Sequence, residues 1–100
     1  MKRYEGRRVN GLPDVRVDGV PLNPRLDLQK QRYTGFDWGF LGTGPSQLAL
    51  ALLADCLDDE DEADSLHQDF ASAVVAGLAS DGWILTDEEI RETLDAMEND

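Results

Sequence analysis

Residues 35–57, GFDWGFLGTGPSQLALALLADCL, constrain the fold more than any other part of this chain. Three aromatics, four glycines and a proline stand directly ahead of the most apolar run in the sequence. From Gln47 to Leu57 the apolar residues fall nearly all round a helical wheel, which marks a helix buried on most sides. Ala49, Ala51 and Ala54 would let neighbours approach it closely. Ahead of it, Phe36, Trp38 and Phe40 recur at period two. An extended segment would put all three rings on one side, packed as core against the helix, with Asp37 on the other. Gly42-Thr43-Gly44-Pro45 breaks that segment. Pro45 suits the first helical position, where its missing N–H has no intrahelical partner in any case. A buried central helix is predicted over about 46–57, and the rest of the chain must cover it.

The remaining elements follow from local signals. Residues 3–9 alternate as a short strand with an Arg-rich face. Val15, Val17, Val20 and Leu22 flank Asp18-Gly19, a two-residue hairpin signal. Asn10-Gly11 marks another turn, but Pro13 follows too closely for a regular second hairpin there. Residues 23–34 read as mostly loop. The acidic run 58–65 is a solvated lead-in to a second helix predicted over 62–79. Its core stripe is Leu66, Phe70, Val74 and Leu78, widened by Ala63, Ala71 and Val75. Asp81-Gly82 ends it, with Gly in the left-handed cap conformation. Residues 83–85 make one more strand. Thr86 and Glu89 form a capping box for a third helix over 87–97, with Ile90, Leu94 and Met97 as its apolar stripe. The expected architecture is α+β, a single domain over 1–100 in which a small, mostly antiparallel sheet packs on three helices.

Charge sets the environment. The chain carries 14 Asp and seven Glu against seven Arg and two Lys, a net charge of −12. Carboxylates are short and strongly hydrated, so a surface rich in Asp and poor in Lys stays soluble where salt competes for water. The self-repulsion is screened over about 3 Å at 1 M salt. This is the composition of a protein from a salt-filled, halophile cytoplasm. The charge is also uneven: residues 1–35 sum to +4 and residues 36–100 to −16. The two halves should attract, within one fold or between subunits. The longest apolar run, Leu48–Ala54, has seven residues, short of the roughly 20 that span a bilayer. The basic N-terminus has no apolar stretch behind it, so it does not read as a secretory signal. A cytoplasmic protein without membrane contact is expected.

Candidate sites are few. Glycines ahead of a helix expose N–H donors that suit an anion. Gly39 and Gly44 have the spacing of a phosphate loop, but Pro45 stands where the lysine should be. Gly42 and Gly44 begin a dinucleotide fingerprint, but Gln47 replaces its third glycine. A structural turn is the first reading, with anion or nucleotide binding through Thr43, Gly44 and Ser46 as the alternative. Trp38 is the ring to test as a stacking platform. Arg3, Arg7, Arg8 and Arg16 could bind nucleic acid if they share a face, though salt weakens phosphate contacts steeply and the downstream carboxylates repel a duplex. His67 reads as a surface histidine and Cys56 as a small core residue. No catalytic motif, metal set or cofactor fingerprint is present, so the sequence decides neither for nor against an enzyme.

The run GFDWGFLGTGPSQLALALL, with the opening KRYEGRR, the VRVDGVPL hairpin and the late WILT segment, resembles a family of small domains of unknown function found in archaea, bacteria and phages. The resemblance spans most of the chain and implies that residues 35–53 are the family's defining feature. It implies no activity, cofactor or catalytic residue. The functional expectation is a non-enzymatic interaction module, binding an unknown protein partner or a second copy of itself.

Overall fold

The computed structural model describes residues 1–28 and 35–98. Residues 29–34, part of the segment read as loop, lie outside the described residues. Strands β1 (Arg3–Val9), β2 (Leu12–Val17), β3 (Val20–Pro21) and β4 (Gly82–Thr86) form one antiparallel sheet in the order β3-β2-β1-β4. Helices α1 (Thr43–Leu57), α2 (Glu60–Ala73) and α3 (Asp87–Glu98) complete an α+β fold.

Two tight turns build the sheet. Asp18-Gly19 joins β2 to β3 as expected. Asn10-Gly11 also closes a hairpin, with Val9 opposite Leu12, contrary to the sequence reading. Both turns hold their two central residues at positive φ, the geometry of the primed turns that match strand twist. Pro13 is tolerated because it pairs with Arg8 one step from the turn. That position is non-hydrogen-bonded, and β3 reaches only Arg16 and Val17, so the missing N–H faces an open edge. The opposite edge, β4, is short of free donors. The Gly82 N–H donates to the Ala79 carbonyl and the Thr86 N–H to the Glu89 carboxylate.

One face of the sheet is core. Tyr4, Val15 and Trp83 join Trp38 and the α1 leucines in one buried cluster. Gly6 has to be small, since a Cβ there would run into the Trp83 indole. The α1 helix is central, with every residue from Gly44 to Ala54 buried. Leu48, Leu50, Leu52 and Leu53 are fully enclosed, and each contributes about 1.5–3 kcal/mol over an exposed leucine. That outweighs the ~1 kcal/mol of a helix cap, so packing holds α1. The helix begins earlier than predicted, and Pro45 sits third rather than first, still among the residues whose N–H needs no intrahelical partner.

The second helix departs most from expectation. Asp59 caps its start, accepting from the Glu62 N–H at 3.1 Å, so the acidic run is helical rather than loop from Glu60. It stops at Val74, and a 3-10 turn over Val75–Gly77 follows, with Leu78 extended. Gly82 does not cap it but opens β4. The buried face is Ala63, His67, Phe70 and Ala71, with Leu66 and Val74 at its margins. His67 is therefore a core residue, 5% exposed, not a surface one. Its Nδ1 lies 2.7 Å from the Asp64 carbonyl and its Nε2 3.2 Å from the Gln68 amide, so both ring nitrogens have partners. The α3 capping box forms as predicted: the Glu89 N–H donates to Thr86 Oγ1 at 3.1 Å, and the Thr86 N–H to Glu89 Oε1 at 3.0 Å.

Candidate functional site

The segment that leads into α1 folds back on itself instead of running straight. Gly39 takes φ +86, which an L side chain rarely adopts, and its N–H donates to the Val75 carbonyl at 3.0 Å. This bend breaks the period-two pattern. Phe36 is half-buried, Trp38 is 1% exposed and Phe40 is 49% exposed, so the three rings do not share one buried face. Trp38 is locked in place. Its Nε1 donates to the Ala79 carbonyl at 2.9 Å, Trp83 meets it edge-on at 5.7 Å, and the Arg8 guanidinium lies 4.3 Å over its ring. No face of it is presented for stacking a ligand. Arg8 also donates to Asp37 at 3.0 Å and to the Ser80 carbonyl at 3.0 Å, fastening β1, the lead-in and the turn before β4 together.

Two clefts flank the N-terminus of α1. One, of about 440 Å³, is lined by Pro13, Phe36, Asp37, Phe40, Thr43 and Gly44, among others. Gly44 is pressed against the returning chain, since a Cβ there would meet Asp37 Cβ at 2.9 Å and the Gly35 carbonyl at 3.1 Å. The other, of about 450 Å³, lies toward α2 and is lined by Leu41, Gly42, Thr43, Ser46, Gln68, Ala71 and Ser72. Gly42 is the N-cap and supplies no side-chain cap, and the first turn of α1 holds no acidic residue. The Ser46 N–H bonds the Gly42 carbonyl at 3.0 Å, whereas the N–H groups of Thr43 and Gly44 have no partner among the described residues.

The C-terminal end of α1 is closed. Asp58 takes a left-handed conformation and returns its N–H to the Ala54 carbonyl. Lys2 Nζ donates to the Asp55 carbonyl and carboxylate, at 3.3 and 3.2 Å, and Arg91 to the Cys56 carbonyl at 2.6 Å. The Tyr4 hydroxyl donates to Asp55 at 2.7 Å. Burial first, then that carboxylate, push the Tyr4 hydroxyl far above the ordinary phenol range. Burial likewise raises the Cys56 thiol, which is a core group as expected. A cleft of about 390 Å³ here is bordered by Lys2, Arg25, Asp55 and Cys56. Arg25 is committed elsewhere, to Asp27 at 2.9 Å and Glu60 at 2.6 Å.

The four arginines do not share a face. Strand alternation puts Arg3 and Arg7 on the open side of the sheet, joined by Arg16 opposite Glu5, while Arg8 points inward onto Trp38. Arg7 and Arg16 both donate to Asp14 Oδ2 at 3.3 Å. Desolvation opposes ionisation of Asp14, but hydrogen bonds from Arg16 and Arg7 prevail and hold its carboxyl below the usual range. Of the predicted ligand residues, Thr43 lines both clefts, Gly44 only the one with Asp37 and Ser46 only the one toward α2, and Trp38 lines neither. Sequence reading missed Leu41, although two large apolar residues between glycines are a visible sign of a projecting loop. Gln68 and Ser72 carried no local signal at all, because only the α1–α2 packing brings them to this cleft.

The model of a family of unknown function (DUF6166) matches residues 4–96. The chain belongs to that family. The match takes in all of the sheet but Arg3, α1, α2 and nearly all of α3, so the lead-in and both ends of α1 lie within the shared unit. No curated protein and no solved structure matches the chain. Among the described residues, no helix is long and apolar enough to cross a membrane, and no group of three or more His, Cys, Asp or Glu is placed to hold a metal ion.

Proposed function

We propose that this chain is a non-enzymatic interaction module of a halophile cytoplasm, and that it binds another protein through the loop ahead of α1. The observation that carries the reading is the loop Gly39–Gly42, which holds Phe40 and Leu41 out at 49% and 68% exposure from an otherwise acidic molecule. Burying what remains exposed of both would contribute roughly 2–4 kcal/mol before the costs of association. Molar salt screens charge contacts but leaves apolar ones intact, so a contact made in such a cytoplasm has to rest on side chains of this kind. Two side chains projecting from a turn fit a groove on a partner better than a flat face.

The test is capture of partners in molar KCl by the wild type and by a Phe40→Ser, Leu41→Ser double variant of equal melting temperature. The double variant should lose the specific partner. Retention of that partner would overturn the reading, and a complex made only of this chain would redirect it to self-association. The habitat has its own readout: the melting temperature should climb from low salt to molar KCl, and a flat or falling curve would refute it.

A further inference from the structure

The three helices begin in different ways. Asp59 caps α2, and Thr86 with Glu89 caps α3. Each of those first turns also carries three acidic residues. The first turn of α1 carries none, and its cap is a glycine, in a chain with 21 acidic side chains to place there. Gly42 sits at φ 165, extended backbone that any residue can adopt, so an aspartate or serine cap is not barred by conformation. The result is an N-terminus whose Thr43 and Gly44 N–H groups have no partner among the described residues, at the positive end of a 15-residue helix with no acidic residue in its first turn.

A second observation stands beside it. Ser46, one turn in, lines the cleft between α1 and α2 and is 9% exposed, yet its hydroxyl has no hydrogen-bond partner. Buried hydroxyls without partners are uncommon, because each forfeits its bond to water. The side chains around it are Thr43, Gln68 and Ser72, neutral groups able to donate, with Leu41 and Ala71 as apolar walls. No carboxylate lines this cleft, whereas Asp37 lines the one on the other side of the helix.

We propose that this cleft binds a small oxyanion, a phosphate or carboxylate group, held by the Thr43 N–H at the start of α1 and the Ser46 hydroxyl. Neutral donors suit a cell rich in salt, since they bring no lysine or arginine whose contact must compete with bulk cations. The site does not depend on the partner-binding reading, although Leu41 borders both.

Inorganic phosphate and acetate, titrated separately into ¹⁵N-labelled protein in a fixed KCl background, test it. Saturable shifts should be confined to the Thr43, Gly44 and Ser46 amides and their cleft neighbours, and the stronger of the two anions identifies the group recognised. Gly42→Asp places an internal carboxylate on the same donors. The new Cβ meets only the outer ring edge of Phe40, at 3.2 Å, an exposed side chain that can move. That variant should abolish the shifts while raising the melting temperature by roughly 4–8 °C. Ser46→Ala should weaken binding by roughly tenfold without lowering the melting temperature, because the hydroxyl it removes makes no bond within the fold. Absence of saturable shifts with either anion, shifts centred on Lys2, Arg3 or Arg7, or binding indifferent to both variants would each overturn the proposal. Survival of partner capture in Ser46→Ala would separate this site from the interaction surface.

Discussion

At its C-terminal end α1 has a left-handed Asp58 returning its N–H to Ala54, Lys2 on the Asp55 carbonyl and Arg91 on that of Cys56. At its N-terminal end it has a glycine with no side chain and, among the described residues, two N–H groups and a Ser46 hydroxyl without partners. The chain has nine basic side chains and places two of them on carbonyls at one end of this helix; it has 21 acidic ones and places none in the first turn at the other. The scarce charge is used for closure and the abundant one is withheld. One end is closed by the fold, and the other has no such closure among the described residues.

The comparison can be broken by substitution. The largest effect is expected at Gly44. A valine there would drive Cβ into Asp37 and the Gly35 carbonyl, displace the lead-in and loosen the Arg8–Asp37 pair, at a loss of about 3 kcal/mol by urea unfolding. A loss below ~0.5 kcal/mol, the size of an ordinary surface change, would show that the lead-in is not pinned to the helix. Next comes Arg91→Met, which frees the Cys56 carbonyl and should lose about 1.5 kcal/mol. Set beside the stabilising Gly42→Asp, it gives opposite signs at opposite ends, and a loss from both would collapse the contrast.

The smallest effect at neutral pH is Tyr4→Phe, which removes the hydroxyl from Asp55 for about 1 kcal/mol. Its signature is in alkali. An unfolded tyrosine ionises near pH ~10 while the folded one keeps its proton, so the native state binds more protons there. The stability from Tyr4 is complete below that pH and falls as pH rises above it. Melting temperature should therefore decline more steeply in the wild type than in Tyr4→Phe between pH ~8 and ~11. Parallel declines would show that Tyr4 ionises alike in both states.

Much of this was legible in sequence wherever the signal was local. The Asp18-Gly19 hairpin, the Thr86–Glu89 box and the all-round burial of α1 each rest on a few adjacent residues, and each is present. The failures came where tertiary contact decides. Pro13 looked like a hairpin breaker because the sequence does not say which residues of β2 face an open edge. The four-residue stripe carried α2 on to Leu78, yet the chain turns at Val74 to let Val75 accept from Gly39. His67 lies one position from the predicted stripe, and a modest rotation of the helix against α1 made it core. Phe40 left the aromatic row because one glycine takes a positive φ. For the site, Thr43, Gly44 and Ser46 were readable from glycines ahead of a helix, while Gln68 and Ser72 belong to another helix.

The edges of the sheet bear on how concentrated this protein can become. On one side stands a two-residue strand ending in Pro21, beside Pro13; on the other, β4 has given the Gly82 and Thr86 donors to its own neighbours, leaving Ile84 alone to offer an outward N–H. A foreign strand finds too short a ladder to dock on either side. Salt that screens charge also removes the repulsion that keeps most acidic proteins apart. Under those conditions, blunted edges guard against aggregation where charge no longer does.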